Sequence, residues 1–328
     1  MVRLLVICLL AASTLSARAE TLKLATLAPD GSVWYTALQT MAEDWRRISN
    51  GTIDVRIYPG GVAGDDSVMV RKMRIGQLNG SALTGDGMAS IAPEMRIFQM
   101  PMLIRDDAEL DYLRDRLSAD LEAIAVAQGF KILAWSDVGW VYLFSTTSIA
   151  DPDAARRVRM WIATGDTSWL QALKGAGYKP VALPTTEILS GLQSGLIDAF
   201  NTPPVAALSS QWFGLAKNMM DLRWSPFVGA VVVTTKFWDA VPPAQRDALQ
   251  DAARRATAQA QADVRRFEHD AIVAMQAHGL EVHPVSAANA QRFEEEIRAV
   301  YPQLVGASIP ASIYLKAKDS LDEYRRTR

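Results

Sequence analysis

Apolar positions in this chain recur first in twos and then in threes and fours, and that change of period orders its elements. Leu22, Leu24 and the run Ala25 to Leu27 predict a short strand, closed by Ala28-Pro29-Asp30-Gly31. Ser32 is placed to cap a helix in which Trp34, Leu38, Met41, Trp45 and Ile48 fall at spacings of four and three, and Asn50-Gly51 stops it. Ile53, Val55 and Ile57 alternate with polar residues as a half-buried strand does, ending at Pro59-Gly60-Gly61. A helix over Asp66 to Ile75 and a strand over Leu78 to Leu83 complete a strand-helix-strand-helix-strand order, the grammar of a largely parallel sheet with helices on its faces.

The same grammar restarts at Lys131. Lys131 to Trp135, Trp140 to Ser145 and Val158 to Trp161 read as strands, followed by a helix around Trp169 to Gly175 and a strand over Pro180 to Leu183. Thr185 or Thr186 caps a further helix with Glu187 in its first turn, where the helix dipole favours a carboxylate, and Ile197 to Phe200 returns as a strand. Phe227 to Thr235 is a continuous β-branched run suited to a buried strand or a crossing between lobes. From Pro242 to about His278 the text is helical, with Ala248, Leu249, Ala252, Ala256 and Ala260 tracing an inner face. A helix of about 30 residues is roughly 45 Å long, enough to touch two lobes. The fold class is α/β: two lobes with a cleft between them, hinge strands and a long lobe-spanning helix.

The first nineteen residues carry a different signal. Arg3, the apolar stretch Leu4 to Leu15 and Ala17-Arg18-Ala19 form a secretory leader, residues 1–19, cleaved before Glu20, so a periplasmic location is expected. The single cysteine, Cys8, goes with it, and the mature chain then folds on its own core without a disulfide. With 49% hydrophobic and 21% charged residues and a formal net charge of -2, the chain is neither disordered nor basic enough for a nucleic-acid surface.

Catalytic signatures are absent. Gly85-Asp86-Gly87-Met88-Ala89-Ser90 imitates a dinucleotide turn with serine in the third glycine position, a weak match in an exported chain. Gly191-Leu192-Gln193-Ser194-Gly195 has its serine one place away from a nucleophile elbow. His269, His278 and His283 have no metal-ligand spacing, and Glu294-Glu295-Glu296 lacks the alternation of a calcium loop. No nucleophile, base and oxyanion hole assemble, so neither an enzyme, a metal nor a cofactor is expected. Aromatic residues are the unusual supply: Trp140, Trp161, Phe200, Trp212, Phe213 and Trp224 crowd the second half. Beside them Arg159 sits in the apolar strand Val158-Arg159-Met160-Trp161, where a guanidinium needs a buried anion, either a protein carboxylate or a ligand.

These residues resemble a known family, the DctP-type extracytoplasmic solute receptors of tripartite ATP-independent periplasmic (TRAP) transporters. The resemblance is carried in order by Leu22-Lys23-Leu24-Ala25, by Tyr58-Pro59-Gly60-Gly61-Val62-Ala63-Gly64-Asp65-Asp66, by Ala92-Pro93-Glu94 with Met100-Pro101-Met102-Leu103, by Val158-Arg159-Met160, and by Glu187 to Asp198. It implies a periplasmic-binding-protein-like fold, a carboxylate-bearing solute gripped by the signature arginine, here Arg159, and delivery to the permease subunits of a sodium-coupled transporter. The lobes are then expected over 20–143 plus about 230–275, and over 144–229 plus about 276–328, with hinges near Phe144 to Thr147 and Gly229 to Val233. A monomer or homodimer is compatible with that reading.

Departures from the family's pattern shape the expected ligand. Gly139-Trp140-Val141-Tyr142 carries no second arginine, Asn201-Thr202 replaces the usual polar segment, and Trp161-Ile162 stands just past the arginine. Each change removes charge or adds apolar surface. Arg159, Trp161, Trp140, Phe200, Asn201, Thr202 and Trp224 are therefore the expected ligand residues, for an apolar or aromatic monocarboxylate, or at the extreme a lipid-like, hydrophobic solute. A ligand carrier for an exported sensor would share the same fold, and an exported enzyme is the remaining alternative.

Overall fold

The computed structural model describes residues 20–165 and 167–328, Glu20 by its backbone alone, so the expected leader and its cysteine lie outside the described residues. The first half runs β1 (Glu20–Thr26), α1 (Val33–Ile48), β2 (Ile53–Tyr58), α2 (Asp66–Arg74), β3 (Gly80–Leu83), α3 (Gly85–Ile91), a 3-10 segment at Pro93–Gln99, α4 (Asp107–Ala127) and β4 (Phe130–Trp140). Ser32 caps α1 through its hydroxyl, which accepts the Tyr35 N–H at 3.3 Å, and Leu38, Met41 and Trp45 face inward. The glycines of the dinucleotide-like turn serve close approach: a Cβ on Gly87 would stand 2.8 Å from the Asp66 carboxylate.

The second half runs β5 (Tyr142–Ser145), α5 (Pro152–Ala155), β6 (Arg159–Ala163), α6 (Thr167–Gly175), β7 (Lys179–Leu183), α7 (Ile188–Gln193), β8 (Ala199–Thr202), α8 (Pro204–Ser209) and β9 (Asn218–Asp221). Then come β10 (Pro226–Thr234), α9 (Thr235–Ala240), α10 (Pro243–Gln276), β11 (Glu281–Pro284), α11 (Ala287–Leu304) and α12 (Ala311–Arg326). Two sheets result, ordered β2-β1-β3-β10-β4 and β11-β9-β5-β8-β6-β7. Both are mixed. The pairs β1–β2, β1–β3, β6–β7 and β6–β8 are parallel as expected, whereas β10 runs antiparallel to both β3 and β4.

The chain passes between the sheets along two extended segments that pair where they cross. The Val141 N–H donates to the Ser225 carbonyl at 2.9 Å, and the Trp224 N–H donates to the Val141 carbonyl at 2.9 Å. The crossing thus lies at Val141 and at Leu222 to Ser225, which corrects both expected hinge positions. Ala230 to Val233 is locked inside the first sheet between β3 and β4, Gly229 is paired with β4, and Phe144 is paired within the second. A polar network braces this region. Asp137 on β4 is buried and receives Arg114 from α4 and Arg265 from α10, the latter at 2.8 Å, while Arg265 also reaches Asp111.

Helix α10, 34 residues and about 51 Å long, packs on α1 and β4 of the first layer and on α8 of the second. Helix α11 lies on α5 and α6, but α12 packs on α4 and the Pro93–Gln99 segment, where Arg325 pairs with buried Glu109 at 2.7 Å. The final helix therefore joins the first layer, not the second lobe to which it was expected to belong.

Candidate functional site

Parallel strands of an α/β sheet open a crevice beyond their carboxyl ends. Here both sheets do so toward each other. Thr26 to Ala28 after β1, Gly60 after β2 and Leu83-Thr84 at the end of β3 face Trp161 to Thr164 at the end of β6, Thr185-Thr186 after β7 and Asn201-Thr202 at the end of β8. The cleft between them measures about 600 Å³. Its two halves touch at the rim, where the Thr185 N–H donates to Asp65 at 3.3 Å.

The lining is aromatic. Trp161 and Trp224 stand on it, joined by Trp34, Trp169, Trp212 and Phe227. Trp161 is fixed at its edge, its indole N–H donating to the Leu183 carbonyl at 2.9 Å, and Trp224 packs edge-to-face on Phe293 at 6.1 Å. Several lining polar groups are already committed inside the protein. Thr84 gives its hydroxyl to Asp66, Ser209 to the Val205 carbonyl at 2.8 Å and Thr257 to the Ala253 carbonyl at 3.0 Å. Two others are not: the Trp34 indole N–H and the Gln99 side-chain oxygen are buried without a partner among the described residues. Among the described lining residues the charged side chains are Asp86 and Arg96, 3.6 Å apart. Beneath the wall, burial pushes the Asp66 carboxyl up to about 7, the neighbouring Asp65 and Asp86 adding to the rise against the hydrogen bonds from Thr84.

Of the residues singled out in the sequence, Trp161, Asn201, Thr202 and Trp224 come together on the cavity wall, and three do not. Arg159 is the first residue of β6, at the end remote from the crevice, and its side chain is 47% exposed. Met160 and Ala199 are register partners in the parallel β6–β8 pair, so Asp198 lies beside Arg159. The guanidinium grips that carboxylate with two bonds, Nε to Oδ2 at 2.7 Å and Nη2 to Oδ1 at 2.5 Å. These bonds hold the Asp198 carboxyl below the usual range. Arg159 is thus corrected from a buried ligand anchor to an exposed strand clamp. Trp140 donates its N–H to Asp107 at 2.9 Å and lies under the Arg223 guanidinium, which makes it part of the crossing. Phe200 is fully buried, stacked on Phe144 at 5.2 Å.

Trp34, Arg96, Gln99, Trp169 and Phe227 were not foreseen, and Trp212 was read as one of the aromatics crowding the second half without being set among the ligand residues. Trp34 read as one more inward position of α1, and Arg96 and Gln99 lie on a 3-10 segment whose short period leaves no amphipathic signature. For Arg159 the arrangement makes a sharp forecast. In an Arg159→Ala protein, ligand affinity by calorimetry stays within about twofold of the parent, because only an exposed ion pair is lost. A tenfold loss would return this arginine to the ligand.

Two sheets meeting at their strand ends around a cleft, crossed by paired strands and bridged by a long helix, define a cleft-type solute-binding protein. Residues 24–306 match the family model described as bacterial extracellular solute-binding protein, family 7 (DctP), and the chain belongs to that family, the solute receptors of TRAP transporters. The chain is 23% identical over 277 residues to the C4-dicarboxylate-binding periplasmic protein DctP of Rhodobacter capsulatus, covering 81% of this chain and 82% of that protein. It is 20% identical to the sialic acid-binding periplasmic protein SiaP of Vibrio cholerae, over 91% and 92% of the two chains. Among solved structures, the sugar acid binding protein of Advenella mimigardefordensis in complex with galactonate superposes with a TM-score of 0.87 at 18% identity, over 93% of this chain and 99% of that one. A TRAP solute binding protein from Ralstonia eutropha with bound acetolactate gives 0.86 at 20% identity, over 92% and 99%. These relatives are binding components of transporters, not enzymes. Proteins of the family are periplasmic, and no helix among the described residues is long and apolar enough to cross a membrane.

Proposed function

We propose that this receptor binds an organic acid with a single carboxylate on an apolar or aromatic body and hands it to the membrane permease subunits of its transporter. The carrying observation is the wall: six aromatic side chains around about 600 Å³, with Arg96 as the cationic side chain among the described lining residues. No second cation stands among the described lining residues to meet a second carboxylate. A polyhydroxylated acid needs a partner for each hydroxyl it buries, and several of the wall's own hydroxyls are spent on the protein. Flat apolar bodies lose nothing there and gain contact with indole faces. Trp161, Trp224, Asn201 and Thr202 take the solute's body in this reading, and Arg96 takes its acid. The relatives' dicarboxylate, sialic acid and galactonate support the organic-acid class and not the apolar body.

Calorimetric titration with phenylacetate, galactonate and succinate tests the reading. Phenylacetate is expected to bind at least tenfold tighter than the other two, and Trp161→Ala to weaken it about 30-fold, the effect of removing a buried aromatic anchor. Tighter binding of galactonate or succinate would overturn the apolar body.

A further inference from the structure

The cavity does not end between the sheets. Its wall continues along Trp34, Ala37 and Met41 of α1 and Ala256, Thr257 and Ala260 of α10, the seam where these two helices pack over one face of the first sheet. Arg96 comes from the Pro93–Gln99 segment, whose Met95, Ile97 and Phe98 belong to a core separate from the one under this seam. The seam therefore leads away from the acid-binding end. It is open where the facing side chains are alanines, and on its outer side a shallow groove shares Ala37, Ala256 and Ala260 with the cavity. Those three side chains form the wall between interior and surface.

Two tryptophans of α1 mark the difference between a closed seam and an open one. Deep in the packed part, Trp45 donates its indole N–H to the Leu249 carbonyl of α10 at 2.9 Å. At the open part, the Trp34 N–H is buried with no acceptor among the described residues. A buried donor left unpaired is costly, so a visitor carrying an acceptor is favoured at that point.

We propose that this branch receives the end of the solute remote from its carboxylate, and that the receptor selects elongated acids whose apolar distal segment carries an acceptor oxygen for the Trp34 N–H. The inference rests on the monocarboxylate reading above and adds length and a distal polar atom to it.

Calorimetry on the full mature chain with hexanoate, decanoate, a keto-decanoate with its carbonyl in the distal half, and decanol tests it. In the parent protein, affinity rises about threefold to fourfold per added methylene between hexanoate and decanoate, and the keto acid gains about tenfold over decanoate. Ala260→Leu fills the branch, so hexanoate binds as before and the gain with length disappears. Because that substitution can also disturb the α1/α10 contact, Trp34→Phe provides a second reading: the smaller ring weakens decanoate and the keto acid alike, and the tenfold preference for the keto acid over decanoate is lost. An absent length gain in the parent, a gain that survives Ala260→Leu in a protein that still melts normally, or a keto preference that survives Trp34→Phe overturns the branch. Decanol binding as tightly as decanoate, with the length gain intact, overturns the carboxylate reading and leaves the branch standing. Failure of all four probes overturns both.

Discussion

A Gly229→Ala protein is expected to lose about 3–5 kcal/mol of stability, a single methyl placed among the most damaging changes available to a fold. Gly229 lies inside β10, opposite Ser136 of β4 and one residue beyond the Ala230–Leu83 pair with β3. A Cβ there would stand 2.2 Å from the Leu83 carbonyl oxygen, with the Leu83 carbonyl carbon at 3.3 Å. The obstacle is backbone in a central strand, so no rotamer change relieves it. Reduced freedom of the unfolded chain returns only about 0.4–1 kcal/mol. The melting temperature should fall by roughly 10 °C. Gly214→Ala is the control: its Cβ would meet nothing within 4 Å, and its φ is not positive. A Gly229→Ala protein that melts with the parent would mean that β3 and β10 can separate at this point. Phe227, Ala230 and Leu83 all line the cavity, so the close approach also fixes its wall, and weakened ligand binding should accompany the lost stability.

How far the sequence showed this molecule depended on the kind of signal. Periodicity located β1, α1 and β2 because each has one buried face over several residues, and the long run of α10 was legible for the same reason. Strand direction was not legible: the apolar run of β10 says that it is buried on both faces, and nothing in it says that it runs against its neighbours. The wall residues Trp161, Asn201 and Thr202 were singled out where the chain departs from the family's pattern, just past Arg159 and in the segment after Asp198, and those segments are β6 and β8. Arg159 was misplaced by the same strand. Apolar neighbours suggested burial, but the first residue of a strand lies at the far end from the crevice, and its partner Asp198 was visible in the sequence at the equivalent place before β8. Trp140 and Phe200 show the complementary error, in which an aromatic near a turn packs inward instead of lining a site.

Titrating the thermal stability of an Asp66→Asn protein against that of the parent should expose the largest pH effect tied to the site. Asp66 is buried at the start of α2 beneath Gly87, and its oxygens accept the Thr84 hydroxyl and, at 3.3 Å, the Thr84 N–H. Burial raises its carboxyl from an ordinary 3.8 to about 7, with Asp65 and Asp86 adding repulsion. Between those two values the folded protein keeps a proton that the unfolded chain has released, so stability falls as pH rises, by about 1.4 kcal/mol per unit. The contribution is complete below the unfolded value, declines through the interval and is gone above the folded one, about 4 kcal/mol in all. Asp111, Asp153, Asp198 and Asp322 are held below their ordinary values and contribute with the opposite sign, so the parent's own curve mixes both. The difference between the two proteins isolates Asp66. The curves should run parallel below about pH 4 and diverge above it, with the asparagine protein more stable by up to about 4 kcal/mol near pH 8. A constant difference across that range would show that Asp66 is ionised in the folded protein, its charge met by Thr84 and the first turn of α3. Because Asp65, the next residue, reaches across the rim to Thr185, the same titration followed with ligand present reports whether the ionisation of Asp66 loosens the contact between the two halves. Affinity that weakens between about pH 6 and 8 in the parent and stays level in Asp66→Asn is the expected result.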